Sequence, residues 1–369
     1  MRKGWEYKKL NEVCEKGTSN IVINKLADNK GKYPLFGASG LVKNIDFFHQ
    51  GKPYIGIVKD GAGVGRVNIY PAYSSLVGTM QYIFPKEGYS IDFIKYFLVK
   101  LDLSHCVSGA TIPHIYFKDY GKENIPTPSL ATQLAIVSEL DKINELIRLK
   151  KEQLKDFDNL AQSLFYEIFG DPVENEKGWE VKKLGEIGEF KNGLNFSKDE
   201  NGHSIKFLGV SDFQNKKSIA SDQLAYISLS ERVQEDYLLK TGDIVFVRSN
   251  GNKELIGRSV KMYITEPTTY SGFCIRYRIT DEKVDKDYIA ILLKTPIIRQ
   301  FMTNSGRGCN ISNLNQKVLN SIPTILPPLP LQRLFAQRIE QIEQERSEVQ
   351  KSIQDLETLL ASRMQYWFE

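Results

Sequence analysis

Apolar residues recur along this chain with two different periods, and the longer-range one organises the rest. From Leu130 to Gly170, alternating steps of four and three pick out Ile136, Leu140, Ile143, Ile147, Lys150, Leu154, Phe157, Ala161, Leu164 and Ile168. That is a heptad seam with one polar interruption. From Leu329 to Phe368 the pattern returns at a constant offset of 199, as Phe335, Ile339, Ile342, Arg346, Val349, Ile353, Leu356, Leu360, Arg363 and Trp367. Neither seam contains Gly or Pro, so the pattern predicts two helices of roughly 60 Å each at 1.5 Å per residue. A rod of that length outreaches one compact domain, and each seam is the natural partner of the other. Because a whole domain separates them, the simpler arrangement is an antiparallel intramolecular coiled coil. Lys150, Arg346 and Arg363 at seam positions either fix register or face another subunit.

A second echo lies upstream of each helix. Gly4-Trp5-Glu6-Tyr7-Lys8-Lys9-Leu10 returns as Gly178-Trp179-Glu180-Val181-Lys182-Lys183-Leu184, and Ile125-Pro126-Thr127 as Ile322-Pro323-Thr324. The offset drifts from 174 to 197 to 199, so the second copy has gained residues in its globular part while its helix kept its length. The repeat unit is a globular module followed by a long helix. The domains read as 1–128 for the first module, 129–170 for its helix, 171–327 for the second module and 328–369 for its helix.

Inside the modules the apolar period shortens to that of strands. YPLFGASG, PYIGIV and VNIY in the first copy, and IKFLGV and GDIVFVRSNGNKELIGRSVKMY in the second, are separated by turn glycines about every ten residues. This favours a mostly β, curved or barrel-like core. IDFIKYFLVKL and DYIAILLKTPIIRQFM, in matching positions, predict short helices. Gly170 and Pro172 stop the first long helix, and the acidic run to Lys177 reads as a solvated linker. The fold class is therefore α+β.

Composition narrows the setting. The 369 residues suit two or three domains, with 41% hydrophobic and 25% charged residues as in ordinary globular proteins. No apolar run approaches the length of a membrane span, which predicts a cytoplasmic chain with no membrane partner. The four cysteines lie far apart without a CxxC pair or a His at ligand spacing, so neither a disulfide framework nor structural zinc is expected. A net charge of +4 allows a polyanion partner without requiring one.

Two loops in each copy carry candidate nucleic-acid chemistry. Gly61-Ala62-Gly63-Val64-Gly65 lacks the GK[ST] of a phosphate-binding loop and leads into a strand, which makes it a hairpin turn presenting Lys59, Asp60 and Arg66. Arg248, Asn250, Asn252, Lys253 and Arg258 occupy the matching turn. Arg, Asn and Lys suit base edges and phosphates, although exposed turns collect such residues anyway. Before each long helix, SGATIPHIYFKD offers Thr111 and His114, and SGRGCNISNLNQK offers Arg307, Asn310 and Asn313. The same loops serve equally well as structural turns. His49, His105 and His203 show no partner pattern. No motif for methyl transfer, metal-assisted phosphodiester cleavage or acyl transfer is present, so no catalytic residue is assigned.

Taken in order and in duplicate, GWEYKKL and GWEVKKL, YPLFGASG, SGATIPHI leading to IPTPSLATQ, FGDPVENEKGW and IPTILPPLPLQ resemble the specificity subunits of type I restriction-modification systems over essentially the whole chain. The second module lacks a clean YPxxGxxG, and its SGRGCNIS departs from the SGxTIPHI form. The resemblance implies two target recognition domains, each reading one half of a bipartite double-stranded DNA site. It further implies paired helices that dock two methyltransferase subunits and, through them, restriction and translocase subunits. S-adenosylmethionine, ATP and Mg²⁺ would then reside on those partners, with no cofactor on this chain. A scaffold with protein-binding β modules and an enzyme with an unseen motif stay open as alternatives.

Overall fold

The computed structural model describes residues 5–109, 113–172, 174–196, 198–214, 216–252, 255–304 and 314–369. The chain divides into two compact units, residues 1–153 with 349–369 and residues 154–348. The division falls inside both long helices, Leu130–Phe169 and Leu329–Phe368. Each unit thus contains one module together with segments of both helices.

In the first unit the chain enters through the Tyr7–Lys9 strand, which pairs antiparallel with Asn124–Pro126 just ahead of the long helix. A four-stranded antiparallel sheet orders Cys14–Thr18, Met80–Pro85, Tyr54–Val58 and Val67–Tyr70. A smaller sheet joins Gly40–Ile45 to Tyr33–Gly37 antiparallel and Tyr33–Gly37 to Ser75–Leu76 parallel. The strands therefore divide between two sheets rather than closing into one barrel. One apolar cluster joins the two sheets, with Leu35 and Leu76 from the smaller and Tyr54, Tyr70 and Tyr82 from the larger. In a second, Ile55, Ile57, Ile83, Phe93 and Phe97 gather with Ile136, Leu140, Met364 and Phe368 from the helices. The Ile91–Leu101 helix covers the larger sheet; Ser90 caps it by accepting the Phe93 N–H.

The second unit repeats this plan. Glu180–Lys183 pairs with Pro323–Leu326, a five-stranded sheet orders Gly188–Asn192, Cys274–Ile279, Ile244–Val247, Ser259–Tyr263 and Ser218–Ala220, and a three-stranded sheet orders Tyr226–Leu229, Lys198–Leu208 and Thr268–Tyr270. The apolar run expected to form one helix forms two, Lys286–Leu292 and Pro296–Asn304. Pro296 lacks the N–H that a continuous helix needs at that point and serves as the first residue of the new one.

Within each unit the helix segments run antiparallel. In the first, Glu139 meets Arg363 and Lys151 meets Glu357, so position rises on one helix as it falls on the other. In the second, Phe165 and Phe169 near the end of one helix stack edge-on against Phe335 near the start of the other, at 5.8 and 5.0 Å between ring centroids. Ile136, Leu140, Ile143, Ile147, Phe157, Leu164, Ile339, Ile342, Val349 and Ile353 are buried, and Leu154, Leu356 and Leu360 are half-buried. Of the seam cations, Arg363 fixes register through Glu139. Lys150 turns to Gln153 and Arg346 to Glu343 on their own helices.

The segment expected to be a solvated linker caps the first long helix instead. Gly170, at φ +76°, donates to the Tyr166 carbonyl. Lys177 Nζ then donates to the carbonyls of Glu167 and Ile168 at 2.6 and 2.8 Å, and Trp179 Nε1 donates to that of Phe169 at 2.9 Å. Helix-end carbonyls without intrahelical partners draw the following residues back onto them, and a cation there is favoured by the helix dipole. Among the described residues no helix is long and apolar enough to cross a membrane.

Candidate nucleic-acid interface

The two loops that the sequence treats as separate surfaces meet in the structure. In the first module, Gly65 N–H donates to the Val58 carbonyl at 2.8 Å and Val58 N–H to the Arg66 carbonyl at 3.0 Å, closing the loop 59–65. Gly61, Gly63 and Gly65 all take left-handed φ, between +82° and +88°, which side chains other than glycine rarely adopt. That explains the glycine spacing without a bound phosphate. The Lys59 and Asp60 N–H groups both donate to the Thr79 carbonyl, at 3.0 and 3.2 Å. From the pre-helix loop, Ile115 N–H donates to the Lys59 carbonyl, and Gly61 N–H donates to the Pro113 carbonyl, each at 2.9 Å.

Side chains tighten this junction. Asp60 forms an ion pair with its neighbour Lys59 and lies 2.8 Å from His114 Nδ1. Partial burial pushes the Asp60 carboxyl up, but pairing with Lys59 and His114 outweighs it and leaves the group below its ordinary range. Ser108 and His114 exchange backbone hydrogen bonds of 2.8 and 2.7 Å. Arg66 is exposed, and a side chain at Gly63 would collide with its guanidinium. Beside His114 lie two exposed residues that sequence reasoning passed over. Tyr116 sits 6.4 Å from the His114 ring, and the Lys118 ammonium stands 5.3 Å over the Tyr116 ring.

The second module reproduces the backbone of this junction and changes its side chains. Gly257 N–H donates to the Val247 carbonyl and Val247 N–H to the Arg258 carbonyl, each at 2.9 Å. Arg248 N–H donates to the Phe273 carbonyl at 2.8 Å, and Leu314 N–H donates to the Arg248 carbonyl at 2.8 Å. Lys59 thus corresponds to Arg248, Arg66 to Arg258, Thr79 to Phe273 and Ile115 to Leu314. Asp60 corresponds to Ser249, which removes the acid of the first loop. Asn250 Oδ1 accepts the Asn252 N–H at 2.8 Å, shaping the loop from within. Arg258 is tied down, with Nη1 donating to the Gln214 carbonyl at 2.7 Å. Phe273, 54% exposed beside Arg248, is the second module's overlooked aromatic. Thr111, Lys253, Arg307, Asn310 and Asn313 lie outside the described residues.

Two buried glutamines hold each module onto its helix, and sequence reasoning missed both. Gln133 Oε1 accepts the Ser90 N–H at 2.9 Å while its Nε2 donates to the Pro128 carbonyl at 2.9 Å. Gln332 Oε1 accepts the Asp285 N–H at 2.9 Å and its Nε2 donates to the Pro327 carbonyl at 2.7 Å. Their offset is the 199 of the helix seams, a signal that was available in the sequence.

A loop junction on a β module, followed by a long helix, thus occurs twice in the chain. The type I restriction modification DNA specificity domain model matches residues 2–156 and 176–358. The chain belongs to that family. Among curated relatives, the type I restriction enzyme StySPI specificity subunit of Salmonella potsdam is 25% identical over 298 residues, covering 76% of this chain and 64% of that protein. The EcoKI specificity subunit of Escherichia coli K12 is 25% identical over 272 residues, 69% of this chain and 58% of that protein. This chain therefore spans somewhat less than two thirds of either. The fold is shared with a crystal structure of a type I restriction-modification S subunit from M. genitalium, with TM-score 0.60, 17% identity, and 99% and 96% of the two chains covered. A chain from a structural study of assembly and conformational transition in the type I system gives TM-score 0.64 at 16% identity, covering 99% and 97%.

Proposed function

We propose that this chain is the DNA-reading subunit of a type I restriction-modification complex and performs no bond chemistry itself. The observation that carries this reading is the repeated junction of two loops, built on the same backbone hydrogen bonds in both modules but presenting Lys59, Asp60 and His114 in one and Arg248, Ser249 and Asn250 in the other. A rigid backbone cradle with divergent side chains suits two readers of different base sequences. Each module would read one half of a bipartite double-stranded site, with Lys and Arg on phosphates or guanine edges and Asn on adenine edges.

The helix pair would dock two methyltransferase subunits, which bring S-adenosylmethionine; restriction and translocase subunits would bring ATP and Mg²⁺. The chain would hold none of these itself. The heptad seam would also set the distance between the half-sites, which on one face of B-DNA repeat about every 34 Å.

The test uses the purified chain with duplex DNA, S-adenosylmethionine and Mg²⁺, with and without methyltransferase partners. Turnover that begins only when the partner is added, with DNA affinity falling steeply with salt, supports the reading. Turnover by the chain alone would make it an enzyme. Salt-insensitive or absent DNA binding with protein capture intact would leave a protein-binding scaffold.

A further inference from the structure

In the first module His105, Cys106 and Glu123 bring one nitrogen, one sulfur and one carboxylate donor within 4.8 Å of one another. Cysteine count and spacing gave no reason to expect this, because Glu123 lies 18 residues beyond His105. We propose that this cluster is a binding site for a borderline divalent transition metal, of which Zn²⁺ is the natural occupant.

The backbone around the cluster holds its donors in place. The Ile91–Leu101 helix ends at Asp102, which takes φ +47° and turns the chain into the Leu103–Cys106 turn of 3₁₀ helix. Leu103 is 3% exposed and anchors that turn in the core. His105 Nδ1 lies 2.9 Å from the Asp102 carbonyl, so Nδ1 must carry the proton and donate it. Nε2 then faces Glu123 Oε1 at 3.2 Å. A lone pair and a carboxylate repel, and either a second ring proton or a metal ion has to lie between them. A ligating histidine held by Nδ1–H to a backbone carbonyl is the usual second-shell arrangement at metal sites. Cys106 adds a sulfur donor within 4.8 Å of the other two, and a divalent cation bound there would draw off its proton.

Glu123 is equally fixed. Its carbonyl accepts the Leu10 N–H at 2.9 Å and its N–H donates to the Tyr120 carbonyl at 3.2 Å, immediately before the Asn124–Pro126 strand. Mixed nitrogen, sulfur and oxygen donors exclude Mg²⁺ and Ca²⁺, which take oxygen, and suit Zn²⁺ or Co²⁺ in tetrahedral geometry with water in the fourth place. The His105 and Glu123 side chains are 49% and 38% exposed, leaving that place open to solvent. The chain leaving Cys106 returns at His114 to meet Asp60. A metal here would pin the foot of the first module's recognition junction.

The test titrates the full chain, reduced and stripped with a chelator, with Co²⁺ near neutral pH. One equivalent should bind with a thiolate-to-cobalt absorption band that Zn²⁺ displaces. Cys106→Ser should abolish that band, His105→Gln and Glu123→Gln should weaken binding tenfold or more, and Cys14→Ser should leave it unchanged. In the unaltered chain, Zn²⁺ should slow iodoacetamide labelling of Cys106 by tenfold or more. Absence of the band, its persistence in Cys106→Ser, or labelling unaffected by Zn²⁺ would each overturn the proposal.

Discussion

His114 Nδ1 lies 2.8 Å from Asp60 Oδ1, joining residues 54 positions apart and locking the pre-helix loop of the first module onto its glycine hairpin. The carboxylate also pairs with Lys59, so the three side chains act as one unit. Asp60→Asn keeps the size of the side chain but removes the charge that orients both partners. DNA affinity should change, and in a double-mutant cycle with His114→Gln the two effects should fall short of adding, by about 0.5–3 kcal/mol as expected for groups in one network. Additive effects would show that the pair is not a unit.

Arg66 and Arg258 occupy the same backbone position with opposite prospects. Arg66 is exposed, whereas Arg258 donates to the Gln214 carbonyl. Arg66→Ala, Lys59→Ala and Arg248→Ala should each weaken duplex binding and, where they contact phosphate, lower the slope of log affinity against log salt by about 1. Arg258→Ala should act mainly on stability. Titrations at several salt concentrations, alongside thermal melts, separate the two.

The glutamine anchors should be sensitive to small changes. Gln133 and Gln332 are 1% and 0% exposed and hydrogen-bond at both ends of the amide. Gln133→Leu strands the buried Ser90 N–H, and Gln332→Leu the half-buried Asp285 N–H, each with a proline carbonyl. Each should cost about 1–3 kcal/mol, read as a lower midpoint in denaturant. An unchanged midpoint would mean the anchors are dispensable.

Glu139 accepts from Arg363 and, at 3.2 Å, from Trp367 Nε1 across the helix pair of the first unit. Hydrogen bonding to the Arg363 guanidinium, against a smaller upward push from burial, holds the Glu139 carboxyl below its ordinary range. Because the folded state binds the proton less readily than the unfolded chain, this stability is fully present above the ordinary glutamate range near 4.3 and is lost as pH falls below it. Glu139→Gln should flatten the acid side of the stability profile and cost about 1 kcal/mol or less at neutral pH, since the pair is partly solvated. Melts from pH 7 down to 3 measure both.

Deleting one heptad from each long helix, at 143–149 and 342–348, keeps both seams in phase. If the pair sets the separation of the half-sites, the preferred spacer should shorten. An unchanged spacer would contradict the ruler.

Much of the fold was legible because repetition amplifies weak signals. The heptad seams and both glycine hairpins stand where periodicity and turn chemistry place them, and the repeated GWEYKKL and GWEVKKL open matching modules. What escaped depends on contacts distant in sequence. Lys177 reads as part of a charged linker until Glu167 and Ile168 present carbonyls to it. His105 reads as a histidine without a partner pattern until Glu123 faces it. Pro296 divides a helix that apolar periodicity alone runs straight through. In the candidate interface the residue types were legible, but the meeting of hairpin and pre-helix loop was not, since it rests on backbone hydrogen bonds that Ile115 and Leu314 donate to the Lys59 and Arg248 carbonyls.

The division of labour between the modules can be read directly from the methylated motif in genomic DNA of cells carrying this chain and its methyltransferase partner. Changing Lys59, Asp60 and His114 together should alter the bases recognised in one half of the motif, leaving the other half and the spacer as they were. Changes in both halves at once, or an unaltered motif with full methylation, would contradict the assignment of one half-site to each module.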